Sequence, residues 1–218
     1  MPDLVFRLAL LALAWLGYFA LHSLLASLPI KHAVARRWPA AMPAYRLGFN
    51  LLAVLFLLAP LGLLYGSDWP SLWRWQGYAA WLANGLALAA LAGFIWSLRY
   101  YDGEEFIGLR QWRGHVRQAE DQEHFQLSPL HRWVRHPWYA LALVLIWTRP
   151  MDAGMLLTAL LATLYFVVGS RLEERKLLIY HGDIYRRYRQ RVPGLVPLPW
   201  KHLSRDEVAA LLATPPRT

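Results

Sequence analysis

Long apolar runs separated by short charged loops dominate the chain. They fall at Leu4–Leu28, Leu47–Tyr65, Gly77–Leu98, Trp138–Thr148 and Ala153–Ser170. A helix needs about 20 apolar residues to cross the hydrocarbon core of a bilayer. The first, second, third and fifth runs approach or exceed that length. The fourth is short, and Pro150 stops it, so it predicts one arm of a tight helical hairpin turning at Arg149-Pro150-Met151-Asp152. The pattern predicts an all-α, polytopic integral membrane protein with about five transmembrane helices. No internal repeat and no strand-rich region is evident. The first run is too long for the hydrophobic region of a secretion signal and lacks a small-residue cleavage site, so it is expected to be a span.

The polar connections set the expected orientation, because Lys and Arg in short loops mark the cytoplasmic side. The loop after the first run carries Lys31, Arg36, Arg37 and Arg46, and the loop after the second carries only Arg74. Basic residues return after the third run (Arg99, Arg110, Arg113, Arg117, Arg132, Arg135) and after the fifth (Arg171, Arg175, Lys176, Arg186, Arg187, Arg189, Arg191). This alternation predicts the N-terminus outside and the C-terminus in the cytoplasm. Tyr100–Trp133 is the longest polar connection, and loops of that length are usually functional or disordered. Leu172 to Arg191 reads as helix with a break at Gly182, ended by Pro193, Pro197 and Pro199. The last residues, Thr214 to Thr218, are expected to fray.

Composition agrees with the pattern. Of 218 residues, 57% are hydrophobic, only 17% are charged, and 12 are Trp, which excludes an ordinary soluble domain. Cysteine is absent, so no disulfide framework, thiolate nucleophile or Cys-based metal site exists. The formal net charge of +9 does not predict nucleic-acid binding. The basic residues flank apolar spans, where they set topology and meet anionic membrane lipids.

The densest candidate chemistry is His131-Arg132-Trp133-Val134-Arg135-His136-Pro137-Trp138-Tyr139, followed one hairpin later by Leu172-Glu173-Glu174-Arg175. Both segments fall on the predicted cytoplasmic side. Pro137 suits the first position of a helix. His136 and Tyr139 are three residues apart across that start and can face one cavity. An Arg, an imidazole and a phenol at a helix N-terminus suit a carboxylate or phosphate. Arg, Trp and Tyr also anchor spans at membrane borders, and the residues alone leave both readings open. Adjacent helical residues point about 100° apart, so one of Glu173 and Glu174 is expected to face a cavity. That Glu either accepts from ligand hydroxyls and balances a cation, or is neutralised by Arg171, Arg175 and Lys176. Tyr185 and Tyr188, again three apart, offer an aromatic wall, and aromatic faces attract cations.

Three weaker signals remain. In Phe106-Ile107-Gly108-Leu109-Arg110-Gln111, Gly108 permits a close backbone approach, and Arg110 and Gln111 can donate to a ligand. His22, Ser23, Asn50 and Asn84 lie within or at the start of apolar runs, where polar residues are functional candidates or bond between helices. His124, His131 and His136 are spaced by seven and five, which does not give the one-face i,i+4 arrangement of a helical metal pair, so no metal is expected.

At these residues the chain resembles the isoprenylcysteine carboxyl methyltransferase-like superfamily, which also holds phospholipid methyltransferases. The resemblance rests on His131–Tyr139, Leu172–Glu174, His181-Gly182-Asp183-Ile184-Tyr185 and Val192-Pro193. It extends toward the bacterial branch of methanethiol S-methyltransferases and NnrU-like proteins through Leu21-His22-Ser23-Leu24-Leu25-Ala26-Ser27, Tyr45-Arg46 with Asn50, and Phe106–Gln111. One departure stands out: the family often has Gly two residues after the Tyr, where this chain has Leu141, which can narrow or reshape the pocket.

The resemblance implies an S-adenosylmethionine-dependent methyltransferase of the bacterial inner membrane. Its acceptor is a small thiol such as methanethiol, or another lipophilic thiol or carboxylate. The alternative is an NnrU-like, non-enzymatic membrane factor in haem or nitrogen-oxide metabolism. The resemblance also implies one domain over 1–218, with three spans in 1–98, a cytoplasmic loop over 99–135, and a hairpin and cofactor-binding segment over 136–200. The cofactor-binding set it implies is Gln111, Arg135, His136, Tyr139, Glu173, Glu174, Tyr185 and Tyr188. His136 and Tyr139 would meet the amino-acid end or the adenine, and one Glu the ribose or the amine. Tyr185 or Tyr188 would pack beside them, and Arg135 could instead pair with the Glu. His22 is the catalytic candidate on the acceptor side.

Overall fold

The computed structural model describes residues 2–116 and 127–213. Among them the chain forms helices α1 (Pro2–Ala26), α2 (Leu28–Arg37), α3 (Tyr45–Tyr65), α4 (Gly77–Ser97), α5 (Gly103–Ile107), α6 (Leu109–Arg113), α7 (Pro137–Trp147), α8 (Ala153–Arg191) and α9 (Arg205–Ala213). Two short strands, β1 (Ser71–Trp73) and β2 (Met151–Asp152), pair antiparallel. His124 lies outside the described residues.

Among the described residues four helical stretches are long and apolar enough to cross a membrane: Pro2–Ala26, Met42–Tyr65, Gly77–Tyr100 and Ala153–Arg191. Their large apolar side chains are widely exposed, among them Phe6, Leu13, Leu51, Val54, Leu58, Leu82 and Leu88. Such continuous exposure suits lipid as solvent, not water. The protein is therefore a polytopic, membrane-embedded helical protein. α7 is apolar but has only 11 residues. α8 has 39 residues, far more than a hydrocarbon core of about 30 Å requires.

The chain divides into two compact units. The first holds described residues 2–74, 101–116 and 150–161. Here α1 packs on α3, and Trp15 donates its indole N–H to Thr158 Oγ1 at 2.9 Å beside the fully buried Leu11. Pro60 sits inside α3 and is buried, a placement membrane helices tolerate. Arg7 donates to the Asp68 carbonyl at 2.8 Å and lies over the Trp69 ring. Trp69 in turn covers Gly154, where a Cβ would stand 2.5 Å from the indole. Asp152 caps α8 by accepting from the Met155 N–H at 2.7 Å.

The second unit holds described residues 75–100, 127–149 and 162–213. α4 packs on α7: Trp138 donates to the buried Ser97 Oγ at 2.8 Å, and its ring meets Phe94 at 5.1 Å. Trp147 near the end of α7 donates to Thr163 Oγ1 of α8 at 3.0 Å. α8 kinks at Gly182, whose φ of 52° and ψ of −123° are non-helical, and ends at Arg191 before Pro193. Beyond the kink, Tyr185, Tyr188, Val192 and Leu203 form a buried cluster. α9 begins with a reciprocal cap: Glu207 N–H donates to Ser204 Oγ at 3.1 Å, and Ser204 N–H to Glu207 Oε2 at 2.7 Å.

Candidate functional site

The charged cluster of the second unit is built where α7 begins. Pro137 occupies the first turn of α7 and His136 its N-cap. The residues just before the helix are held by backbone pairing to the tail: Arg135 N–H donates to the Pro193 carbonyl at 2.8 Å and His136 N–H to the Gly194 carbonyl at 3.1 Å. Arg132 exchanges hydrogen bonds with Leu203, and Tyr188 donates its hydroxyl to the His131 carbonyl at 2.7 Å. The loop is thus fixed to the chain that follows α8, and its side chains are aimed at α8 itself.

Arg135 points its Nε and Nη2 at Glu174 Oε1, at 2.8 and 2.7 Å. Its Nη1 donates to the carbonyls of Arg189 and Val192. His136 lies between the two acids, with Nε2 3.1 Å from Glu174 Oε1 and Nδ1 3.4 Å from Glu173 Oε2. Tyr139 donates its hydroxyl to Glu173 Oε2 at 3.2 Å. The expectation that only one carboxylate would turn to the site is corrected: the imidazole has two nitrogens on opposite edges, so it meets both. The two acids differ in burial instead. The Glu174 side chain is 10% exposed and that of Glu173 48%.

The rings continue the cluster. Tyr139 stacks on His136 at 5.5 Å and on Phe166 of α8 at 4.8 Å, with interplanar angles of 8° and 13°. Burial alone would lower the His136 pKa, but its hydrogen bonds to Glu173 and Glu174 outweigh that and leave it above the ordinary value. His131 behaves oppositely. Its burial, with the neighbouring His136 adding, pushes it down to about 4. Its Nδ1 accepts from the Ser128 N–H at 3.2 Å, which suits a neutral ring.

Of the residues expected at the site, the structure brings together Arg135, His136, Tyr139, Glu173 and Glu174. Tyr185 is within electrostatic reach of Glu174 and Arg135. Tyr185 and Tyr188 are 2% and 1% exposed within the C-terminal cluster, so protein encloses both rings. Leu141 turns to α4: its Cδ2 lies 3.5 Å from where a Cβ of Gly93 would stand. Its bulk therefore fills the space that Gly93 leaves. Gln111 belongs to the first unit and donates to the Glu105 carbonyl at 3.4 Å. His22 also belongs there, half-buried, with its ring 5.0 Å from Phe49 and 5.7 Å from Tyr18.

The other family-like motifs of the first unit converge on Gly108. Its φ is +94°, and a Cβ there would stand 2.9 Å from Arg46 Cβ and Leu47 N. Asn50 donates to the carbonyls of Phe106 and Ile107 at 3.2 and 3.1 Å, and Tyr45 donates to the Leu25 carbonyl at 2.6 Å. Arg110 is tied to Asp102 and Glu105. Sequence reasoning missed Phe166, Arg189 and the Pro193–Gly194 carbonyls. Phe166 carried a usable signal, since it lies seven residues before Glu173 and so on the same helical face. Among the described residues no group of three or more His, Asp or Glu is placed to hold a metal ion.

Fold and cluster together define a polytopic helical membrane protein with a charged, aromatic-lined site beside an apolar hairpin. No family model matches the sequence, and no solved structure matches it. Curated relatives do. The chain is 37% identical over 207 residues to the methanethiol S-methyltransferase of Mycobacterium tuberculosis, covering 87% of this chain and 78% of that protein. It is 36% identical over 197 residues to methanethiol S-methyltransferase 2 of Bradyrhizobium diazoefficiens, covering 86% and 73%. The methanethiol S-methyltransferase of Crocosphaera subtropica is 29% identical over 196 residues, covering 84% and 72%. The chain belongs to the methanethiol S-methyltransferase family.

Proposed function

We propose that the protein is an integral-membrane methyltransferase that uses S-adenosylmethionine to methylate a small thiol such as methanethiol. The observation that carries this reading is the Arg135–His136–Tyr139–Glu173–Glu174 cluster, found in a chain whose relatives carry that name across most of its length. The donor set suits the cofactor. Glu173 is half-exposed and can accept from an ammonium or from ribose hydroxyls. Arg135 and His136 carry positive charge beside it, and the Tyr139 and Phe166 faces offer stacking area.

Bound S-adenosylmethionine supplies a methyl group on a sulfonium, which a thiolate sulfur can take by in-line displacement. The chain's own residues act by holding and orienting. Glu174 neutralises Arg135 and fixes His136, and His136 fixes Glu173 in turn. Tyr188 holds the His131 carbonyl, and so the loop that carries Arg135 and His136, and Tyr185 packs on it in the tail. The apolar hairpin excludes water, and positioning with water exclusion can supply much of such a rate enhancement. Gln111 is proposed as a further donor to the cofactor. His22 is proposed on the acceptor side, so His22→Ala should lower turnover more than cofactor affinity. Equal turnover would remove it from that role.

α7 is read as the fifth crossing, completing one methyltransferase domain in the bacterial inner membrane, with the N-terminus outside and the C-terminus cytoplasmic. Nothing observed favours the NnrU-like alternative. The test supplies reconstituted protein with S-adenosylmethionine and either methanethiol or a prenylcysteine. The expected product is dimethyl sulfide in the headspace of the first mixture. Turnover of the prenylcysteine alone would change the acceptor class, and turnover of neither would overturn the reading.

A further inference from the structure

Beneath the carboxylates, α8 changes character. Glu173 and Glu174 are the last acids met on moving from the kink toward the apolar half, and no acidic residue lies between Asp152 and Glu173. On the face shared with Glu173, one turn back, is Ser170, which is buried and donates its hydroxyl to the Val167 carbonyl at 3.0 Å. Two turns back, roughly 10 Å along the axis, is Phe166. Its ring lies parallel to Tyr139, whose hydroxyl reaches Glu173. A column of parallel rings, His136, Tyr139 and Phe166, therefore leads from the charged groups into the apolar part of the hairpin. Phe166 is its last member and is only half-buried.

This order matters for a ligand with one permanent cation. The amino-acid and ribose groups of S-adenosylmethionine need polar partners, and in this unit those stand at the head of the column. The sulfonium lies a few bonds from both, and its methyl must face an acceptor arriving from the apolar side. On that side α8 offers no carboxylate to balance the charge. What remains are ring faces, whose negative quadrupole attracts cations and more strongly where water is excluded.

We propose that Phe166, with Tyr139 stacked on it, is the positioning residue that recognises the sulfonium charge. This rests on the reading that the cluster binds S-adenosylmethionine. It makes a specific demand. S-adenosylhomocysteine has the same amino acid, ribose and adenine but a neutral thioether. Phe166 therefore adds affinity for the cofactor and little for the spent product, which favours exchange of one for the other after each turnover. Because the charge disperses as the methyl leaves, the contact acts on binding more than on the chemical step.

The test is calorimetric titration of both ligands into detergent-solubilised wild type, Phe166→Leu and Phe166→Tyr, with thermal unfolding of each. In Phe166→Leu, affinity for S-adenosylmethionine should fall roughly three- to thirtyfold, while affinity for S-adenosylhomocysteine stays within about twofold. Phe166→Tyr keeps a ring face and should restore the ratio. KM for the cofactor should rise in Phe166→Leu with kcat nearly unchanged. Equal loss of both ligands, or Phe166→Tyr behaving as Phe166→Leu, would overturn the assignment while leaving the cofactor reading intact. Failure of wild type to bind either ligand would overturn the cofactor reading and this assignment with it.

Discussion

At the head of α7, polarity takes the form of charge. Around the Gly108 turn the chain is joined by side-chain to backbone hydrogen bonds, and its ion pairs, Arg110 with Asp102 and Glu105, are far more exposed. The first cluster gathers a guanidinium, an imidazole and two carboxylates within hydrogen-bonding distance, with Arg135 14% and Glu174 10% exposed. In the second, Asn50 and Tyr45 satisfy main-chain carbonyls, and Gly108 lets the chain approach the start of α3. Both lie in motifs that the sequence marks as family-like. They differ in what their polar atoms do. Burying ions costs solvation that mutual attraction repays poorly, so such a cluster is weak evidence for stability and better evidence for a ligand. Side chains that complete backbone hydrogen bonding are what a fold needs for itself. A motif becomes a site through the partners its side chains meet.

The contrast breaks most readily at Glu174. Its removal leaves Arg135 without its carboxylate and His136 with one acid in place of two. Glu174→Ala should lose about 3–5 kcal/mol of stability, read by unfolding in detergent. A loss below about 1 kcal/mol would mean that the cluster is solvated and the comparison is mistaken. Gly108→Ala forces a side chain into left-handed backbone and against Arg46. It should cost about 1–3 kcal/mol, with cofactor affinity per folded molecule falling by no more than the one hydrogen bond proposed for Gln111 supplies, about tenfold. A larger, selective loss of affinity would move the Gly108 turn as a whole from scaffold to site.

A smaller effect separates the two histidines by pH. His136 is raised in the fold, so the stability it contributes is fully present below 6.5 and is lost as pH rises through its folded pKa. His131 is lowered, so its contribution is present above 6.5 and is lost as pH falls through about 4. The melting temperature should peak near pH 6.5 and decline on both sides. His136→Gln should flatten the alkaline side and leave the acid side. An unchanged alkaline slope in that variant would deny His136 its protonated pairing.

Much of this was legible in the sequence because it is local. Apolar run lengths mark the long helices, Gly182 marks the kink in α8, and Pro137 marks the start of α7. A pairing of Arg135 with a Glu of α8 was among the alternatives the sequence offered, but the contact of His136 with both acids was not. What escaped is long-range. The β1–β2 pair joins three residues to two across some eighty positions, too short to show a strand period. The carbonyls of Pro193 and Gly194 hold Arg135 and His136 through main-chain atoms, which no side-chain pattern reveals. The spacing of Tyr185 and Tyr188 likewise does not show that the Tyr188 hydroxyl goes to the His131 carbonyl and its ring packs in the tail.

Glu173 joins the two halves of the comparison, being charged like its neighbour yet half-exposed, and it offers the most direct test of the site. Glu173→Gln should change stability by no more than about 1 kcal/mol. The measurement is calorimetric titration of S-adenosylmethionine into wild type and Glu173→Gln in detergent, at pH 7 and matched fold integrity. If the cluster holds the cofactor, wild type binds and the variant binds at least about tenfold more weakly, as expected for a lost hydrogen bond to a charged group. Equal affinity in the two proteins would contradict the placement of the cofactor at this cluster.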